Sequence, residues 1–320
     1  MSLTIQIVPT LDSRDADISR FKNPKIYSGP IPEEILPGET PKCFLGAWYR
    51  KVFSSFDRWL GIEGVIRLGE FTPDPLRFNL DHKGRYMDNP SIYMGGKSSK
   101  ESDAGLNLNL SYLSADTSSE LDLASPKAAY RPFWRYIYND AKDISNNVTR
   151  REINSWNVSD PRNLHFYYFP GDVIRMSVYS PLKDYLQLRI EVIEPTKLKK
   201  YNALRQGYQL ENGRPADFYS PLFYSKGHGS EKAEFKRVNS IDQYGNEGFT
   251  AQETNALVSE AEWKEVFLYR EIDGEIRKVP FVAARQTSMI CPDRNAITVK
   301  PGNEEYGGEF IIIHPGKVLS

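Results

Sequence analysis

The stretch from Ala261 to Phe281 constrains this chain more than any other. It runs Ala261-Glu262-Trp263-Lys264-Glu265-Val266-Phe267-Leu268-Tyr269, passes through Glu271-Ile272-Asp273-Gly274-Glu275, and resumes as an apolar run ending Val279-Pro280-Phe281. Aromatic and β-branched residues favour extended backbone, and Asp-Gly tolerates the positive φ angles of a tight turn, so the stretch predicts a β-hairpin. Strict alternation then assigns Trp263, Glu265 and Phe267 to one face and Glu262, Lys264, Val266 and Leu268 to the other. A carboxylate is thereby presented among large neighbours, which makes Glu262 the first candidate for chemistry.

Much of the remaining chain has the same texture. Residues 59–71 are β-like with glycines at 61, 64 and 69, and residues 91–96 form another short extended run. In Leu106-Asn107-Leu108-Asn109-Leu110 the leucines face one way and the amides the other. Tyr130-Arg131-Pro132-Phe133-Trp134-Arg135-Tyr136-Ile137-Tyr138 is the densest aromatic run, with rings assigned to both faces. Residues 173–179 and 185–193 pair as a hairpin, and Glu309-Phe310-Ile311-Ile312-Ile313 is a last strand. Only residues 140–156 show loosely helical spacing, through Ile144, Val148 and Ile153. Many short strands and little helical periodicity predict an all-β fold, an antiparallel two-sheet β-sandwich. Prolines at 9, 24, 30, 32, 37 and 41 make residues 1–57 an extended arm, packed on a sandwich of residues 58–320 through Phe44, Trp48 and Tyr49. The charged residues 196–255 read as a long insertion.

Composition removes several classes of partner. Lys and Arg number 41 against 42 Asp and Glu, so no basic excess points to nucleic acid or an anionic membrane. No apolar run approaches the ~20 residues of a membrane span, and the start has no basic flank and apolar segment of the signal-peptide kind. A soluble protein is expected, with compartment and oligomeric state open. Cys43 and Cys291 could pair, but two cysteines are too few for a disulfide framework, and free buried thiols are the expectation. Histidines at 82, 165, 228 and 314 have no metal-ligand spacing, so neither metal nor cofactor is expected. No Gly-x-Ser-x-Gly elbow, His-Glu-x-x-His or Walker-type loop is present.

Several segments, taken in order, resemble the glutamic peptidases of the eqolevisin family. They are Gly69-Glu70-Phe71 with Pro73 and Pro75, residues 91–95, residues 104–112, the aromatic run 130–138, Pro170-Gly171-Asp172-Val173-Ile174, and Ala261-Glu262-Trp263 with Val279-Pro280-Phe281. The resemblance spans roughly residues 58–290. It implies a sandwich of the concanavalin A-like, lectin-like jelly-roll type. It also implies a glutamate that activates water against a peptide carbonyl and a glutamine amide that stabilises the oxyanion. The glutamate carries over to Glu262, and the glutamine position falls on Asn107, one methylene shorter. Lys264 stands at an apolar family position and Arg135 at an acidic one.

Two classes of function follow. In the first, an endopeptidase uses Glu262 as general base and acid and Asn107 as carbonyl polariser, with Phe133, Trp134, Arg135, Tyr136 and Lys264 around a polypeptide substrate. In the second, a non-catalytic module uses the same aromatics to hold a glycan or an extended peptide. Gln187, on a neighbouring hairpin strand, is an alternative source of an amide or a plain surface residue.

Overall fold

The anticipated hairpin is present and is the longest feature of the molecule. Strands Leu257–Ile272 and Glu275–Pro280 are joined by Asp273 at φ 52° and Gly274 at φ 78°, the two positive angles that a two-residue turn of this hand demands. The structure is a computed structural model that describes residues 18–31, 34–35, 42–79, 85–109, 129–138, 151–152, 166–202 and 215–316. At 78–79, 85–86, 109, 136–138 and 151–152 only the backbone is described.

Two sheets enclose one core. The first is eleven-stranded, and its main path runs Lys25–Ile26, Glu275–Pro280, Leu257–Ile272, Gly61–Arg67, Val173–Leu182, Tyr185–Glu194 and Phe218–Tyr219. Strand Glu309–Ile313 joins the first half of Leu257–Ile272 and brings Ile297–Pro301 with it. The second sheet is seven-stranded, in the order Arg151–Glu152, Ala129–Tyr138, Glu101–Asn109, Asp88–Lys97, Glu234–Gln243, Ala47–Ser54 and Gln286–Cys291. The fold is thus the all-β two-sheet sandwich expected from the strand pattern. Ile62, Ile66, Ile174, Met176, Val178, Leu188, Val266 and Leu268 of the first sheet pack against Val52, Ile92, Met94, Leu106, Leu108 and Trp134 of the second.

The core is not purely apolar. Trp263 lies against Gly64, where a Cβ would come within 2.8 Å of its ring, so the glycine admits the indole. Its Nε1 donates to Asn239 Oδ1 at 2.7 Å, and the Arg237 guanidinium sits 5.4 Å from the ring centroid. Arg237 Nη1 donates to Glu309 Oε1 at 2.6 Å, and Arg50 Nη2 donates to Oε2 of the same carboxylate at 3.0 Å. Two cations on one acid hold the Glu309 carboxyl below its ordinary range despite burial, and the trio carries a net charge of +1.

Four expectations change. Strict alternation fails in the hairpin because the register against Gly61–Arg67 shifts between Trp263 and Glu265, leaving Lys264 as one extra residue. Trp263, Val266 and Leu268 therefore share the core side, and Trp263 does not share a face with Phe267. Within the expected arm, residues 47–54 form an integral sheet strand rather than a wrapping segment. Within the expected insertion, Glu234–Gln243 is a ten-residue strand paired on both sides. Finally, Cys43 and Cys291 are bonded, with S–S 2.06 Å and Cα atoms 5.9 Å apart, because pairing of Cys291 with Tyr49 carries the edge strand to the start of Ala47–Ser54. The short helix read from residues 140–156 lies outside the described residues, apart from the strand pair Arg151–Glu152.

Candidate binding face of the seven-stranded sheet

The alternation of Leu106-Asn107-Leu108 holds in the structure. Both leucines are in the core, so Asn107 points outward from the seven-stranded sheet. Its Oδ1 accepts from Arg131 Nε at 2.9 Å, and its Nδ2 has no partner among the described residues. On the next strand Phe133 also faces outward, edge-on to Tyr93 at 6.0 Å, and Arg135 Nη2 donates to Asp103 Oδ2 at 3.1 Å. Three sequence-predicted residues thus share one surface.

The others do not join them. Trp134 is 4% exposed and packs in the core 5.7 Å from Phe218. The Tyr136 side chain lies outside the described residues. Glu262 and Lys264 belong to the eleven-stranded sheet, where core residues Ala261 and Trp263 flank Glu262 and turn its carboxylate to the opposite exterior of the sandwich. That carboxylate pairs with Arg67 Nε at 3.2 Å and Lys264 Nζ at 3.7 Å. Glu262 and Asn107 are consequently not brought into a common site, because their strands joined different sheets. Gln187, on the outer side of the eleven-stranded sheet, is fully engaged. It accepts from Tyr179 Oη at 2.7 Å and donates to the Ser220 carbonyl at 3.0 Å.

Of the unpredicted members of the face, Lys236 and Asp242 come from the strand mistaken for insertion, Glu101 and Asp103 from the strand of Asn107, and Lys51 from Ala47–Ser54. Lys236 is 5% exposed, and its Nζ lies 2.7 Å from Asp103 Oδ1 and against the Glu101 carboxylate. Burial alone would lower the Lys236 ammonium, but Asp103 and Glu101 outweigh it and raise its pKa. Burial likewise pushes Asp103 up, yet Lys236 and Arg135 hold it below the ordinary carboxylate range. Lys236 is the main reason Glu101 is also lowered. Lys51, one strand over, is brought down to about 8, first by burial and then by repulsion from Lys236. Asp242 departs the other way: desolvation raises it against the pull of Ser91 and the Arg135 charge. Acids and bases driven apart in this way occur at functional sites and in structural ion-pair networks alike, and here the shifts come from burial and from the Asp103–Lys236–Glu101 pairing itself. A sequence signal existed, since Lys236, Val238, Ser240 and Asp242 recur at period two, but polar residues on both sides concealed it.

No family model matches the chain, and no curated protein sequence matches it. Among solved structures it is similar in fold to scytalido-glutamic peptidase with a transition-state analogue inhibitor. The identity is 8%, the TM-score 0.45, and the match covers 85% of this chain and 100% of that one. It is also similar to SCP-B, a member of the eqolisin family of peptidases in complex with the tripeptide Ala-Ile-His. There the identity is 9% and the TM-score 0.39, over 84% of this chain and 98% of that one.

Proposed function

We propose that the protein binds polypeptide in an extended conformation across the outer face of its seven-stranded sheet, without hydrolysis through Glu262 and Asn107. The observation that supports this is the joint presentation of Asn107, Phe133 and Arg135 beside the desolvated Asp103–Lys236 pair. The Asn107 Nδ2 offers a donor to a backbone carbonyl, Phe133, packed on the buried Tyr93, offers a ring to side chains, and Arg131 and Arg135 carry charge at the margin. A water-activating glutamate needs an amide within reach of the same carbonyl, and the placement of Glu262 and Asn107 on different sheets supports a reading without that couple. The Cys43–Cys291 bond favours an oxidising compartment as the place of work.

A second reading, acid-promoted cleavage of the same ligand, draws support from Asp242. It is a carboxyl raised by desolvation on the same face as the ionised Asp103.

Fluorescence polarisation with labelled unfolded-protein fragments tests the first reading. Binding should fall at least tenfold in Phe133→Ala and Asn107→Leu. Binding of a glycan array but of no peptide would overturn the ligand class. Cleavage followed from pH 2 to 8 tests the second: loss in Asp242→Asn with retention in Glu262→Gln would establish it. Cleavage that disappears in Glu262→Gln would refute the proposal itself.

A further inference from the structure

The opposite exterior of the sandwich carries an apolar cluster separate from the main core. Phe21, from the short 3-10 turn Ile18–Phe21, stands 4.6 Å from the Tyr179 ring and 5.4 Å from the Tyr269 ring. Ile276 closes the cluster, with Ile18 and Leu60 beside it. Beyond the turn, Lys25–Ile26 pairs in parallel with Arg277–Lys278 at the sheet edge, and Tyr27 N donates to the Lys278 carbonyl at 2.8 Å. Strand addition at an edge with one ring in a side pocket is a recurrent way in which sheets recognise peptides.

The floor of this slot does not depend on the segment that fills it. Tyr269 Oη donates to Glu63 Oε2 at 2.5 Å, Lys278 Nζ donates to Oε1 at 2.6 Å, and Tyr179 Oη donates to Gln187. Every one of these partners belongs to the sheet. The two tyrosines are therefore held in place from below, and Phe21 adds only ring contact from above. The hold on the segment is slight by comparison. Within residues 18–27 it consists of the buried Phe21 ring with Ile18 beside it, Tyr27 against the main core, a two-residue strand pair extended by the Tyr27 N bond, and a half-exposed ion pair between Arg20 and Glu271, while Ile31 in the core and Glu34 paired with Arg285 anchor the chain beyond it. Ile26 is 48% exposed even when docked.

We infer that the Tyr179–Tyr269 slot and the adjoining strand edge form an exchangeable peptide-docking site. Its resident is the chain's own segment 18–27, and its external ligand is a peptide of the same chemistry, a phenylalanine preceded by a basic residue and followed by an extended basic-apolar pair. This site is distinct from the seven-stranded face and does not rest on the reading given to that face.

The test uses the full chain carrying Phe21→Ala and a labelled peptide of residues 17–28. The variant is expected to bind the peptide at least tenfold more tightly than the wild-type chain, whose slot is filled. A peptide in which the phenylalanine is alanine should not bind the variant. Equal binding to variant and wild type, or binding that ignores the phenylalanine, overturns the inference. Should Phe21→Ala fail to fold, a protease site placed at residues 36–41 of the wild-type chain serves instead. After cleavage the N-terminal fragment should copurify and then be displaced by excess peptide. Immediate loss of the fragment, or its retention against any excess, overturns the inference as well.

Discussion

His228 offers the sharpest test of how this fold holds itself closed. The ring is fully buried where residues 225–231 cap one end of the sandwich, with Gly227 at φ 93° and Gly229 at φ 78° on either side. Its Nδ1 lies 2.9 Å from Ser225 Oγ, which in turn is 2.7 Å from Ser102 Oγ on strand Glu101–Asn109. The Nε2 has no hydrogen-bond partner among the described residues and is aimed at Gly96, where a Cβ would sit only 2.4 Å away. Burial lowers the imidazole to about 4, against the opposing pull of the Ser225 carbonyl and Asp184. The unfolded chain accepts the proton near the ordinary value of 6.5, whereas the folded chain resists it until about 4. The unfolded state therefore binds more protons throughout that window, and stability falls as pH drops from 6.5 towards 4. At about 1.4 kcal/mol per pH unit the loss is roughly 3 kcal/mol. His228→Asn keeps a hydrogen-bonding atom near the Nδ1 position, does not titrate and leaves a small void. Urea unfolding of both proteins at pH 7.5, 6.5, 5.5 and 4.5 separates the two effects. The variant should be the less stable at pH 7.5, and that disadvantage should shrink by about 2–3 kcal/mol at the acid end. A difference that stays constant across the series would refute the claim that the fold keeps this ring neutral.

Three further outcomes follow from other parts of the structure. Lys236→Met strips the cation from Asp103 and Glu101 and should cost about 3–5 kcal/mol, less at low pH where the stranded acids take up protons; Asp103→Leu in the same chain should recover part of it, read by urea unfolding. Reduction of Cys43–Cys291, or Cys291→Ser, removes a link between residues 248 apart in sequence and should cost about 3–5 kcal/mol in the same assay, and an unchanged midpoint would show that the bond constrains nothing. Glu262→Gln should shift stability by under about 1 kcal/mol, because Arg67 and Lys264 are partly exposed partners, and should leave peptide affinity at the seven-stranded face unchanged.

What could be read from the sequence, and what could not, depends on how each strand spends its two faces. The Asp273-Gly274 hairpin and the Leu106–Leu108 strand were legible because one side is apolar and the turn residues have a single geometric use. Glu234–Gln243 was not, because polarity appears on both of its sides: Arg237 and Asn239 enter the core, where Glu309 and Trp263 receive them, while Lys236 and Asp242 lie on the opposite side of the sheet, with Lys236 buried against Asp103. A polar residue that finds a buried partner far along the chain looks the same, in one dimension, as a polar residue in water. The extra residue at Lys264 was hidden for a related reason, since one insertion reverses parity without changing composition.

The same logic explains why a plausible acid–amide couple dissolved. Alternation states which side of its own strand a group occupies, and it was right that Asn107 faces away from its leucines. It is silent on which sheet the strand enters. Two outward groups on one sheet are neighbours, whereas two outward groups on facing sheets are separated by the whole core, about 10 Å between backbones plus the reach of both side chains. Glu262 and Asn107 took the second arrangement. Phe133 and Arg135 took the first with Asn107, because Ala129–Tyr138 pairs directly with Glu101–Asn109 and sets Phe133 opposite Gly105 and Arg135 opposite Asp103. Sheet membership, fixed by long-range pairing, therefore decides which outward groups are neighbours: Asn107, Phe133 and Arg135 lie with Asp103 and Lys236, and Glu262 lies on the other sheet.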